Sequence, residues 1–245
     1  MTALDHSAKN LYQGADPRLI PAYTTVDAAR YLRIPERTLF DWSFGFSRRA
    51  SGGQRRRVEP LIRVVDPVHH LLSFTNLAEL HVLDGLRRVH RLQMKKIRQT
   101  VVYLARTLST EHPLVHQDMW TNGLSIFVEH YGHLVNASQE GQLAMRQLVD
   151  AHLHRIDRDL TGIVRLFPLT RKRAFSASEM AGEPRVIAID PRVAFGRPVI
   201  LGSRIPTVEV AERFKAGESL EDLAHDFKRP IAEIEEAVRI ELDAA

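Results

Sequence analysis

The 245-residue chain contains no cysteine. That excludes disulfide scaffolds, thiol nucleophiles, cysteine-ligated zinc and iron–sulfur clusters together, and leaves the redox compartment open. No run approaches the roughly 20 apolar residues that a bilayer span needs. Asp5, His6 and Lys9 interrupt what would be the apolar core of a secretion signal, so a cytoplasmic protein without a membrane partner is expected. Also missing are G-x-x-x-x-G-K-[ST], G-x-G-x-x-G and G-x-S-x-G, which removes the usual signals of nucleotide hydrolysis, dinucleotide binding and serine esterase chemistry. The chain is 44% hydrophobic and 26% charged, ordinary values for a chain that buries a core. Its length suits one large domain or two to three small ones.

The formal charge of +4 conceals a division along the chain. Lys plus Arg against Asp plus Glu is 2 to 2 in residues 1–24, 16 to 7 in 25–110, 10 to 10 in 111–199 and 6 to 11 in 200–245. A basic front suits a polyanion, whereas an acidic end suits a different, basic partner.

Residues 1–24, with Gly14, Pro17 and Pro21, read as an arm. A Thr-capped helix over 25–32, broken at Ile34-Pro35, and a second from Glu36 to about Trp42 form a helix-turn-helix pattern. Five arginines follow around a Ser-Gly-Gly centre: Arg48, Arg49, Arg55, Arg56 and Arg57. The runs 61–65 and 71–74 predict a small hairpin, and Thr75 is expected to cap a helix of about 30 residues reaching Leu108. Either Gly85 interrupts that helix, or its length serves pairing with a partner. Residues 111–167 predict a small α+β unit with strands at 124–128 and 163–167 around one amphipathic helix. Residues 168–184 predict a linker. A strand over 185–189 and three helices, 208–216, 219–227 and 231–242, complete the chain.

The expected fold is therefore α+β and mostly helical. Its parts are an arm (1–24), a winged helix-turn-helix (25–80), a long helix suited to dimerisation (81–110), an α+β middle domain (111–167), a linker (168–184) and a C-terminal three-helix, helix-turn-helix-like domain (185–245).

DNA binding needs a short helix to enter the major groove and nearby cations to neutralise phosphates. Arg37, Thr38, Asp41 and Trp42 would project from the second helix, with the five loop arginines on the backbone or in the minor groove. The alternative is a solvated arginine loop beside a structural helix pair. Twelve histidines raise a metal reading, with His112 and His116 at i,i+4 and His130 and His133 at i,i+3. Pro113 and Gly132 spoil the helical geometry that would join either pair, so no metal and no cofactor are expected.

The stretch from Tyr23 to Trp42, with Ala28-Ala29, Leu32 and Pro35-x-x-Thr38-Leu39-x-x-Trp42, resembles the MerR-like winged helix, as does Ser73-Phe74-Thr75-Asn76-Leu77-Ala78-Glu79-Leu80. An arginine loop stands where that family has Gly-Tyr-Arg in its wing. Ile189-Asp190-Pro191, the run from Gly196-Arg197-Pro198 through Arg204-Ile205-Pro206, and Ala216-Gly217-Glu218-Ser219-Leu220-Glu221 are similar to small VapB-like antitoxins, with Ser203 for the usual Thr and Phe195 where a small residue is common. That resemblance implies a PIN-like ribonuclease toxin as partner, dimerisation and operator binding. Toxin contacts are expected from Arg204, for which a structural ion pair is the alternative, and from the acidic residues Glu209, Glu212, Glu218, Glu221 and Asp222. A solvated surface is the alternative for the carboxylates.

The reading reached is a homodimeric, DNA-binding antitoxin with no catalytic residue. Its rivals are a MerR-like regulator sensing a small ligand in residues 111–167 and, more remotely, an enzyme using that segment's histidines and carboxylates.

Overall fold

Thr24 is extended and accepts a hydrogen bond from the Asp27 amide through Oγ1 at 3.1 Å. A helix-start amide is thereby satisfied, and α1 (Thr25–Leu32) follows. The structure, a computed structural model, describes residues 12–49, 54–88, 94–135, 138–171 and 176–242. Arg33, at φ 53°, closes α1 in the left-handed conformation, and α2 (Glu36–Phe44) begins after Pro35. The two helices pack together as the sequence pattern predicts.

Gly45 ends α2 at φ +75°, and a Cβ there would lie 2.4 Å from the Val58 carbonyl oxygen. Only glycine lets the chain double back this closely. It does so as β1 (Phe46–Arg49) paired antiparallel with β2 (Arg55–Val58). The hairpin is thus made by the arginine segment itself, and the runs at 61–65 and 71–74 form no ladder with each other. Leu61 and Ile62 are instead buried against α2, with the Leu61 amide donating to the Trp42 carbonyl at 2.7 Å. Leu72 makes an isolated bridge to Tyr23.

The expected 30-residue helix is two: α3 (Phe74–Arg88) and α4 (Met94–Thr107), with 89–93 outside the described residues. Ser73 rather than Thr75 begins α3. Its Oγ accepts from the Asn76 amide at 3.2 Å while Asn76 Oδ1 accepts from the Ser73 amide at 3.1 Å, a reciprocal box. Leu77, Leu80, Leu83 and Leu86 are all fully buried, and so is Glu79 between them. Such a helix, covered all round, is the centre of a core and not an exposed dimerisation seam. Gly85 lies inside α3 without breaking it. A Cβ at Gly85 would meet the His152 ring at 2.6 Å, so its lack of side chain permits close packing.

Two 3-10 turns lead to α5 (Gly123–Val135) and α6 (Gln139–Leu153). Residues 124–128, expected as a strand, are helical, because Leu124, Phe127, Val128 and Tyr131 are buried at i, i+3, i+4 and i+7. After α6 come β3 (Ile156–Asp159) and β4 (Gly162–Leu166), an antiparallel hairpin. One apolar cluster joins Leu39 and Trp42 of α2 to α3, to Phe127 and Tyr131 of α5 and to Ile163 of β4. The front and middle segments therefore share a core.

Beyond β4 the stretch expected as a linker starts buried at Pro168, Leu169 and Thr170. The Arg155 guanidinium, 3% exposed as a residue, pins both its ends. It donates to the carbonyls of Phe167 (2.8 Å), Pro168 (3.1 Å), Glu183 (3.2 Å) and Pro184 (2.9 Å). A short helix, α7 (Ala177–Ala181), capped by Ser176, lies between. The last unit comprises β5 (Ile187–Ala188) antiparallel to β6 (Val199–Ile200), then α8 (Thr207–Lys215), α9 (Leu220–Phe227) and α10 (Ile231–Leu242). Ile187, Ile200, Val210, Leu223, Ile234 and Ile240 form its own core.

Polar contacts tie this unit to the front. Arg33 donates to the Leu169, Thr170 and Arg239 carbonyls at 3.1, 2.6 and 3.0 Å. Arg30 pairs with buried Glu241 at 3.2 Å, and Glu241 also accepts from Thr207 Oγ1 at 2.5 Å. Among the described residues no helix is long and apolar enough to cross a membrane.

Candidate functional site

The surface formed by α2, the β1–β2 hairpin and α4 exposes the five hairpin arginines together with Arg37 and Lys95. The register sets Arg48 directly opposite Arg56 and Arg49 opposite Arg55, with Arg57 opposite Ser47. Like charges facing each other across an antiparallel pair are destabilising. All five guanidiniums lie on exposed residues, and among the described residues only Arg57 has an ionic partner, Glu59 at 3.7 Å. A polyanion laid against the hairpin would relieve the repulsion.

Alongside, Arg37 is 76% exposed at its side chain and reaches Asp41 one turn on at 3.0 Å. An exposed pair of this kind contributes little to stability, but it fixes the direction in which Arg37 points. Thr38 and Asp41 line a groove of about 520 Å³ between α2, the hairpin and α4, together with Arg48, Arg56 and Arg57. Trp42 also borders that groove, yet it is buried, at 6% exposure, with the Arg87 guanidinium 5.9 Å from its ring centroid. It packs on the Leu39 side of α2, so its part is in the core and not in reading bases. The sequence reading missed α4's contribution: Lys95, Arg98 and Gln99 line the same groove. Their i, i+3, i+4 spacing was the available signal. Arg98 also donates to the carbonyls of Glu59 and Pro60, the latter at 2.7 Å, and so holds the hairpin's exit against α4. Burial lowers its pKa from the ordinary arginine value.

In the C-terminal unit Glu209, Glu212, Glu221 and Asp222 are exposed. Glu209, Glu221 and Asp222 sit in first helical turns, where carboxylates are stabilised by the helix dipole. Asp222 further accepts from Ser219 Oγ at 2.7 Å. Glu218 is engaged within the fold: Arg213 Nε donates to it at 2.7 Å, and this hydrogen bond holds its pKa below the usual carboxylate range. Arg213 pairs with Asp226 as well, at 2.7 Å. Arg204, for which an ion pair was the alternative, is exposed and has no ionic partner among the described residues.

The histidine pairs serve separate contacts. His112 Nδ1 lies 2.9 Å from Glu79 Oε2, and His116 Nδ1 lies 3.3 Å from Asp118. His130 stacks on Tyr103 at 3.9 Å between ring centroids. Among the described residues no group of three or more His, Asp or Glu side chains is arranged to hold a metal ion.

Residues 21–101 match a family described as "Putative DNA-binding HTH domain", and residues 187–239 match a family described as a protein of unknown function. The chain is 29% identical over 226 residues to a Mycobacterium tuberculosis protein named "Putative antitoxin VapB45", covering 85% of this chain and 88% of that one. It is 23% identical over 230 residues to "Uncharacterized protein Rv2308" of the same organism, covering 90% and 89%. The crystal structure of Rv2018 from Mycobacterium tuberculosis superposes with a TM-score of 0.66 at 22% identity, over 90% of this chain and 98% of that one, which establishes the shared fold. The N-terminal unit is a helix-turn-helix within a mostly helical α+β fold, and the whole chain is similar to an antitoxin-named protein.

Proposed function

We propose that this protein is an antitoxin that binds operator DNA through its N-terminal winged helix-turn-helix, represses its own operon as a homodimer, and neutralises a PIN-like ribonuclease through its C-terminal unit. The observation that carries the DNA half is the β1–β2 register, which stacks arginine against arginine on an exposed hairpin beside α2. In this reading Arg37, Thr38 and Asp41 face base edges while Arg48, Arg49, Arg55, Arg56 and Arg57 neutralise phosphates. Since α3 is buried, the two-fold contact falls to α4, where Val102 and Tyr103 are left exposed. For the protein half, support comes from the similarity to an antitoxin-named relative along most of the chain and from 6 cations against 11 carboxylates in residues 200–245, a balance that opposes phosphate binding.

The test is a titration of the full chain with duplex from upstream of its own gene and with a scrambled duplex. The upstream duplex should bind more tightly, and Arg37→Ala should narrow that preference by about 5- to 150-fold, the worth of one base contact. No preference would overturn operator binding. Equal losses on both duplexes would make Arg37 a backbone contact.

A further inference from the structure

The 191–197 loop presents an aromatic side chain to solvent from a conformation that costs the fold energy. Ala194 and Phe195 are consecutive non-glycine residues at positive φ, 47° and 57°. A bulky residue at positive φ is an outlier that persists only where its surroundings impose it. Here they do. Tyr12 Oη donates to the Pro191 carbonyl at 2.7 Å, and Tyr23 Oη donates to the Gly196 carbonyl at 2.9 Å from a buried position. Arg192 is anchored to buried Asp190 at 3.2 Å. The loop is thus clamped from the front of the chain at both ends, yet Phe195 at its tip is 67% exposed and contributes nothing to either core.

Two residues on, Arg197 is exposed and has no ionic or side-chain hydrogen-bonding partner among the described residues. Cavities lie on either side. One of about 290 Å³ includes Pro191 and Arg192, and one of about 490 Å³ includes Val193 together with Arg204, itself unpaired. A rigid aromatic two residues from a free guanidinium, on a loop that shares a cavity with a second, has the composition of an interface hot spot, and its fixed conformation lowers the entropy lost on binding.

We propose that the 191–197 loop is the docking knob of the C-terminal unit, with Phe195 entering an apolar pocket of a protein partner and Arg197 and Arg204 meeting an acidic rim around it. The inference rests on the reading above that this unit binds a protein. It moves the contact from the acidic helices, where Glu209, Glu221 and Asp222 stand in first helical turns and Glu218 pairs with Arg213, to the loop with unpaired cations. Charge complementarity sets the partner's chemistry: carboxylates around an apolar hollow, as a metal-dependent nuclease with an acidic site would offer.

The experiment uses the full chain and the purified ribonuclease-like product of the neighbouring reading frame, with affinity measured by calorimetry and stability by thermal unfolding. Phe195→Gly relieves the backbone conformation while deleting the ring. Binding should fall by about 30-fold or more, the loss typical of a hot-spot residue, with no fall in Tm. Phe195→Tyr should bind like the parent, and Arg197→Glu should weaken binding and lessen its salt dependence. A parent chain that binds while Phe195→Gly and Arg197→Glu bind equally well would overturn the knob and leave the protein-binding reading standing. A parent chain that does not bind would overturn both. Loss of affinity for the upstream duplex in these variants, with ribonuclease binding kept, would make the loop a DNA contact and also overturn the proposal.

Discussion

Replacing Arg155 by Met removes a nearly isosteric apolar stem's charged head while leaving four acceptors behind. In the native fold its guanidinium donates to carbonyls 167, 168, 183 and 184, and the Glu183 carboxylate acts on it electrostatically without forming an ion pair with it among the described residues. Burial pushes its pKa down to about 10, still far enough above neutrality to keep it charged. The variant sheds the cation's desolvation cost but strands buried carbonyls, each worth about 1 to 3 kcal/mol if nothing replaces the donor. Partial hydration from the half-exposed side at Glu183 and Pro184 recovers some of this, so the net loss is about 3 to 5 kcal/mol, set chiefly by the two buried acceptors at Phe167 and Pro168. For a chain of this size that lowers Tm by about 6 to 20 °C. Urea unfolding should show a lower midpoint, followed by both far-UV CD and tryptophan fluorescence. A loss below about 1 kcal/mol would show that the 168–184 stretch is not held by this residue.

Two further outcomes follow from the core and the hairpin. Burial, opposed by the His112 hydrogen bond, raises the Glu79 pKa above its ordinary 4.5; burial pulls His112 down, but its bond to Glu79 outweighs this and leaves it above 6.5. Both shifts make the native state hold more protons than the unfolded chain, so this pair's contribution is fully present below pH 4.5 and is lost as pH rises, first through the Glu79 titration above 4.5 and then through that of His112 above 6.5. Tm should therefore fall from pH 5 to 8 more steeply in the parent than in Glu79→Gln, and parallel profiles would refute the assignment. Gly45→Ala should destabilise the hairpin by about 2 kcal/mol or more, through the positive φ and the 2.4 Å approach to the Val58 carbonyl, with a matching loss of DNA affinity. Unchanged stability and affinity would mean the hairpin does not depend on that turn.

The helix-turn-helix was legible because its signals are local: Thr24 caps α1, Pro35 precedes α2, and Gly45 stops it. The three C-terminal helices were legible for the same reason, with Ser219 capping α9. Residues 124–128 were misread because a five-residue apolar run has no period of its own; only extension to Tyr131 shows the helical spacing. The arginine segment was read as a loop because charge obscured its strand register, whereas in 61–65, apolar enough for a strand, Leu61 and Ile62 are buried without strand pairing and Val65 is exposed. Trp42 could not be told from a base reader by position on the helix, since only the packing of Arg87 and Leu61 around it decides the matter. Arg155 carried no signal at all, because its four acceptors are backbone carbonyls brought together by tertiary structure.

If the arginine hairpin is a phosphate-binding surface, its guanidiniums set the salt dependence of DNA affinity. The full chain and its Arg55→Ala/Arg56→Ala/Arg57→Ala variant are titrated with the same duplex between about 50 and 200 mM salt. Each phosphate contact contributes about 0.9 to the slope of log affinity against log salt concentration, so the triple variant should lose about 2 to 3 from that slope with no fall in Tm, since it also relieves the repulsion between the facing arginines. An unchanged slope would contradict the account and leave the facing arginines of β1 and β2 as a solvated surface.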